Sequence, residues 1–192
     1  MKIKKLISAL VLGSMLVGLS GCNITDFSAE NLLRPPKAVG DEAEIEQLIA
    51  KTADSGYTLK YPKNGKFRSA IIMTDLDGND SNEAVAFFRN SAETSSVHML
   101  VMYSKDNSWE IASDNIFETT DIDSVDFADL TGNGKAEIIV NSTTYTPNVG
   151  KLSCYSYSEG KTNEVGSGQS CSSFVTGDFD NDGTSEIMSF VL

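Results

Sequence analysis

Three short runs carry the residues best suited to chemistry. They are Asp75-Leu76-Asp77-Gly78-Asn79-Asp80-Ser81-Asn82-Glu83, Asp129-Leu130-Thr131-Gly132-Asn133-Gly134-Lys135-Ala136-Glu137 and Asp178-Phe179-Asp180-Asn181-Asp182-Gly183-Thr184-Ser185-Glu186. Each opens on aspartate, places oxygen-bearing side chains at alternate positions and ends on glutamate at position 9. In a tight loop alternate side chains turn to one side, so oxygens from positions 1, 3 and 5 converge. A glycine at position 4 or 6 lets the backbone bend with positive φ. The glutamate, entering the next strand, closes the cage with both oxygens. With a backbone carbonyl and water added, this makes the six to eight hard oxygen ligands that calcium prefers. Magnesium demands a smaller octahedron and keeps its waters, so it fits less well. Asp, Asn and Gly are also common turn residues, so one such run alone reads equally as a plain turn. The third run differs, because four inward carboxylates without a cation would repel one another strongly.

An EF-hand loop also begins with spaced aspartates, but it needs a glutamate at position 12 and a helix on each side. Position 12 here is Ala86, Val140 or Ser189, and the flanks are β-branched and aromatic. Other chemistries find less support. The chain has one histidine, His98, within Val97-His98-Met99-Leu100-Val101, where a strand residue facing solvent or partly packed is expected. A single histidine rules out the zinc-protease motif and multi-histidine metal sites. No Gly-x-Ser-x-Gly elbow accompanies it. Gly132-Asn133-Gly134-Lys135 matches a phosphate loop only in part, with Asp129 at the first glycine position and Ala136 at the Ser/Thr position. Carboxylates are plentiful, so a paired-carboxylate, carbohydrate-active enzyme stays as the least favoured alternative, although the sequence does not place two of them across a cleft. The chain reads as a non-enzyme.

The elements that must position the loops are strands. From Tyr57 onward helical periodicity gives way to short β-rich runs between Asn, Asp, Gly and Ser clusters. An apolar segment precedes each loop (Ala70-Ile71-Ile72-Met73, Val125-Asp126-Phe127, Phe174-Val175) and another follows it (Ala84 to Phe88, Ile138 to Val140, Ile187 to Phe190), which predicts a hairpin around each. Two more strands complete a unit: Val97 to Tyr103 with Trp109 to Ala112, and Leu152 to Tyr157 with Asn163 to Val165. The loops recur after 54 and then 49 residues. Tyr103-Ser104 with Tyr157-Ser158, and Glu110-Ile111 with Glu164-Val165, extend the 54-residue offset. Four strands in about 50 residues is one propeller blade. The predicted fold is therefore all-β: propeller-type blades of four antiparallel strands, two and a half to three of them, preceded by one short helix. Ring closure takes roughly four to eight blades, so a partial or open array is expected, with edge strands that self-association could cover.

The pattern Asp-x-Asp-Gly-Asn-x-x-x-Glu, set between strands at blade spacing, resembles the FG-GAP/VCBS repeat family of β-propellers, over residues 57–192. The resemblance implies calcium ligands at matching positions. In the first loop these are Asp75, Asp77, Asn79 and Glu83, with the Ser81 carbonyl. The second offers Asp129, Asn133 and Glu137 with the Lys135 carbonyl, and Thr131 stands where the family has its second carboxylate. The third offers Asp178, Asp180, Asp182 and Glu186, with the Thr184 carbonyl. Asp80 occupies a position where the family usually has glycine.

Upstream the sequence is of another kind. Met1-Lys2-Ile3-Lys4-Lys5, an apolar run to Leu19 and then Ser20-Gly21-Cys22 describe a secretory signal too short to span a bilayer. It resembles a bacterial lipoprotein signal, which implies cleavage after residue 21 and acylation of the Cys22 thiol. Residues 22–40, with Pro35-Pro36, read as a tether. Residues 41–56 read as a helix, with Asp41 as cap, Glu44 at capping-box spacing, and Ile45, Leu48 and Ile49 on one face. It is expected to pack on the first repeat or to plug an end of the array. Residues 57–192 form the body, with repeats at about 57–118, 119–171 and 172–192. Loss of Lys2, Lys4 and Lys5 leaves 12 basic residues against 27 acidic ones, a net charge of −15. Such a surface repels nucleic acid and anionic lipid head groups, so membrane contact is expected through the lipid alone. Export permits a Cys154–Cys171 bridge, or two packed thiols; two cysteines do not decide it. The expected protein is secreted and lipid-anchored at the bacterial cell surface. There it is either a binding or adhesion module for glycan or protein, or an accessory domain of a larger surface protein with no ligand beyond calcium.

Overall fold

A computed structural model describes residues 40–53, 56–93, 95–143 and 149–192. The signal, the Cys22 acylation site and all of the tether up to residue 39 lie outside the described residues. Helix α1 (Asp41–Ala53) is followed by eleven strands: β1 (Tyr57–Leu59), β2 (Ile71–Thr74), β3 (Glu83–Asn90), β4 (Val97–Lys105), β5 (Ser108–Phe117), β6 (Ile122–Ala128), β7 (Glu137–Thr143), β8 (Gly150–Ser158), β9 (Lys161–Cys171), β10 (Ser173–Gly177) and β11 (Glu186–Phe190). All pairings are antiparallel. The first sheet runs β1-β3-β4-β5, with β2 sharing the β1 edge of β3; the second runs β6-β7-β8-β9; β10 and β11 form a two-stranded third. The fold is all-β and partial propeller-like, with no closed barrel. Among the described residues no helix is long and apolar enough to cross a membrane.

The sheets stack as layers, and strand alternation decides which residue faces which layer. Counting from the glutamate that ends each loop, even positions face the next layer and odd positions face the previous one. Val85 and Phe87 of β3 therefore meet Ile138 and Val140 of β7 in one core, joined by Met99, Val101, Tyr155 and Tyr157. Ile139 faces the other way, into a core with Leu152 and Cys154, on which Phe174 and Ile187 of the third hairpin pack. On the far side of the first sheet, Ala84, Ala86, Phe88, Leu100, Met102 and Trp109 are covered by Ile45, Ile49 and Ala53 of α1. The helix lies on the first repeat, as expected, and by covering its outer face it also closes that end of the array.

Several sequence expectations change. The described helix is Asp41–Ala53, and residues 54–55 lie outside the described residues. Its first-turn amides, Ala43 and Glu44, bond to the Gly40 carbonyl at 3.1 and 3.3 Å, so Gly40 precedes the helix and Asp41 lies within its first turn. Glu44 does not fold back on a cap; its carboxylate accepts the Trp109 amide of β5 at 3.0 Å. A tertiary bond replaces the local one. The 54-residue offset holds at the loops but not beyond: Met102 pairs with Ala84, and Tyr155 with the equivalent Ile138, an offset of 53. The β7–β8 hairpin is one residue shorter than the β3–β4 hairpin, 17 residues from Ile138 to Tyr155 against 18 from Ala84 to Met102, which moves β8 back by one. Tyr103 is thus equivalent to Ser156, not Tyr157, and Glu110 to Asn163, not Glu164.

Cys154 and Cys171 are free, buried thiols. Cys171 pairs with Gly150, four residues along β8 from Cys154. At about 3.3 Å per strand residue they lie on the order of 13 Å apart, well beyond the roughly 7 Å limit for a disulfide. His98 is 6% exposed rather than open to solvent. It stacks on Phe88 with ring centroids 4.8 Å apart. Its Nδ1 lies 2.9 Å from both Asp114 carboxylate oxygens and its Nε2 lies 3.2 Å from Glu93. Both nitrogens face carboxylates, so the ring ties β4 to β5 and to the loop before it.

Candidate metal-binding loops

Each acidic run closes a hairpin. Thr74 pairs with Glu83, Ala128 with Glu137 and Gly177 with Glu186. The three loops share one internal hydrogen-bond scheme. The position-1 carboxylate accepts backbone amides from positions 5 and 6: Asn79 and Asp80 to Asp75, Asn133 and Gly134 to Asp129, Asp182 and Gly183 to Asp178. The position-5 side-chain oxygen accepts the amide of position 7 at 2.7–2.8 Å, from Ser81, Lys135 and Thr184. The closing glutamate's Oε2 accepts the position-2 amide at 2.8 Å, from Leu76, Leu130 and Phe179. That last bond leaves no trace in the sequence, because any residue but proline supplies it.

The bend needs left-handed backbone twice, not once. Position 4 has φ of 74° at Gly78, 69° at Gly132 and 62° at Asn181; position 6 has 64° at Asp80, 79° at Gly134 and 91° at Gly183. Asp80 and Asn181 hold this conformation without being glycine, which Asp and Asn tolerate best among residues with a Cβ.

The carboxylates converge as the spacing suggests in two loops. One oxygen each from Asp178, Asp180, Asp182 and Glu186 lies within 4.8 Å of the others, and the same holds for Asp75, Asp77 and Glu83. Oxygens bound at 2.3–2.6 Å around one calcium ion have such separations. In the second loop only Asp129 and Glu137 are acidic, and Thr131 turns its hydroxyl to Glu137 Oε1 at 3.4 Å.

Electrostatics separate the loops. Glu83 is 3% exposed. Burial pushes its carboxyl up, the Leu76 amide opposes this, and the charges of Asp77 and Asp75 push it further. Burial also acts to raise Asp75 and Asp129, but the amides folded around each outweigh it and hold both below the ordinary carboxylate value. Lowered values mean that these turns are stabilised at neutral pH and weaken as pH falls through them. Asp77 Oδ1 is buried with no hydrogen-bond partner. A buried, orphaned carboxylate oxygen beside two other carboxylates is costly, and a cation would relieve that cost. The first loop's donor set therefore fits a hard divalent cation, with Asp77 and Glu83 deepest in the site. In the neighbouring layer, burial and then the charges of Glu83 and Asp77 push the Tyr157 phenol up to about 12.

No protein-family model, curated protein or solved structure matches this chain.

Proposed function

We propose that this chain is a cell-surface, lipid-anchored module of FG-GAP/VCBS type whose three loops hold calcium and whose body recognises a glycan or a protein. The observation that carries the cation reading is the first loop: three carboxylates within 4.8 Å, one oxygen of them buried and unpartnered. Calcium supplies the positive charge those oxygens lack. Asp75, Asp77, Asn79, Glu83 and the Ser81 carbonyl hold it in the first loop. Asp129, Asn133, Glu137 and the Lys135 carbonyl serve the second. Asp178, Asp180, Asp182, Glu186 and the Thr184 carbonyl serve the third.

Calorimetric titration of calcium into Asp178→Ala, Asp75→Ala and Asp129→Ala variants tests the assignment. Ligand charge is a main determinant of calcium affinity. The third loop, with four carboxylates, should bind most tightly, the first next and the second most weakly. Equal loss of heat from all three variants would defeat the ranking.

Recognition of a larger ligand is best supported at a cleft of about 400 Å³ between the end of β5 and the second sheet, lined by Phe117, Glu118, Lys151, Ser153, Tyr155 and Glu164. Phe117 and Tyr155 are buried beneath it, so Glu118, Lys151, Ser153 and Glu164 supply its polar lining, which suits a hydroxyl-rich ligand such as a glycan. A different observation favours the accessory reading. Val175, Met188 and Phe190 on the third hairpin are exposed, and Met188 and Phe190 are equivalent to positions that face a following layer in the other two units. A further layer, or a second copy, would cover that face.

The anchoring part of the proposal rests on Cys22. Two or three acyl chains hold a protein stably on a membrane, whereas one is marginal. Cys22→Ser should move the protein from the membrane fraction to the soluble one; a variant that still sediments with membranes would contradict the lipid anchor.

A further inference from the structure

The three loops are hydrogen-bonded to one another. Ala136 N–H, at position 8 of the second loop, donates to the Leu76 carbonyl of the first at 3.0 Å. Ser185 N–H, at position 8 of the third loop, donates to the Asp129 carbonyl of the second at 2.8 Å. Each donor sits between two groups assigned to the cation, Lys135 and Glu137 in one case, Thr184 and Glu186 in the other. Each acceptor belongs to the opening turn of the preceding loop. Packing repeats the link. A Cβ added to Gly78 would stand 2.8 Å from the Gly134 carbonyl oxygen, and one added to Gly132 would stand 2.9 Å from Thr184 Oγ1. The loops abut where their backbones are bare.

We infer that the loops form one coupled array, in which a cation held in the middle loop raises the affinity of the loops on either side. This rests on the calcium reading above. Filling a loop restricts its backbone, and the two bonds pass that restriction to the neighbour's opening turn. The neighbour then has less freedom to lose when its own cation binds, which is positive cooperativity without a change of shape. The coupling is reciprocal, so the flanking loops also help to fill the middle one. Only the second loop is bonded on both sides. Its shortage of carboxylates suits a role as connector more than as a strong site.

Calcium calorimetry on the full chain tests this in a background where Asp178→Asn silences the third loop. The first loop's affinity is compared with and without Asp129→Asn, which keeps a side-chain oxygen for the surrounding amides. Coupling predicts a loss of about fivefold or more in the first loop when the second is silenced. Two glycine variants then separate contact from strain. Gly78 and Gly134 have φ of 74° and 79°, but a Cβ at Gly134 has nothing within 4 Å. Gly78→Ala should make the first loop indifferent to Asp129→Asn, while Gly134→Ala should leave the dependence in place. An unchanged first-loop affinity in Asp129→Asn would overturn the coupling and leave the calcium sites standing. The absence of any calcium heat in the unmodified protein would overturn the calcium reading and the coupling together.

Discussion

Chelation of calcium should lower the melting temperature of this protein by about 5–10 °C for each site that was well filled. An ion that binds only the folded form adds about 2.7 kcal/mol at a hundredfold excess over its Kd. In a domain of this size 1 kcal/mol moves the midpoint by about 2–4 °C. Each loop joins the two strands of a hairpin, so a filled site also fixes strand register, and EDTA should increase protease nicking near Asp75 and Asp178. Magnesium at the same concentration should restore little. Glu83→Gln sharpens the test. Burial and neighbouring charge hold the Glu83 carboxyl above its ordinary value, so its ionised form is disfavoured by folding at neutral pH. That contribution is most favourable below the unfolded value and is lost as pH rises through the folded one. Glutamine keeps an oxygen for the Leu76 amide and removes the charge. In EDTA the variant should melt no lower than the parent; in calcium it should lack the first loop's increment. Superimposable melting curves with EDTA and with calcium would reduce the loops to turns.

Phe87→Ala should cost about 3–5 kcal/mol, the range for emptying a buried phenylalanine site. Phe87 is fully buried in the core between the first two sheets. It lies directly opposite Met99 on β4. Both sheets are already built from paired strands, so the structure around an emptied site can collapse only partly. The midpoint should fall by about 6–20 °C. The loss should be the same in calcium and in EDTA, since Phe87 is four residues along β3 from Glu83 and is not itself one of the assigned ligands. A loss under about 1 kcal/mol in denaturant unfolding would mean that the two sheets do not pack through this residue.

How much of this was legible in the sequence depends on whether the cause was local. Loop composition, the apolar runs on either side and the Ile45–Ile49 helix face follow from neighbours in the chain, and those elements lie where the pattern puts them. Equivalences between distant strands do not. One residue fewer in the β7–β8 hairpin than in the β3–β4 hairpin was enough to turn the match of Tyr103 with Tyr157 into a coincidence. The Glu44 spacing signalled a capping box, yet the Trp109 amide, 65 residues away, takes that carboxylate. His98 sits in a stretch whose pattern left its facing open, and only the stacked Phe88 and the paired Asp114 account for its burial. In the loops, side-chain identities pointed to convergence of the carboxylates. The contacts between loops run through backbone amides and carbonyls, which every residue but proline carries, so no spacing could have announced them.

The helix lying on the first sheet has a consequence for how the protein comes to be folded. Every layer rests on the one made just before it: first sheet on helix, second sheet on first, third hairpin on second. In such a nearest-neighbour architecture, structure can nucleate in one place and propagate. A chain emerging amino-end first, from a ribosome or across a membrane, would always find a finished surface waiting for its newest hairpin. The exposed apolar area at any moment would be that of the last layer alone, which limits the interval in which a half-made chain can aggregate.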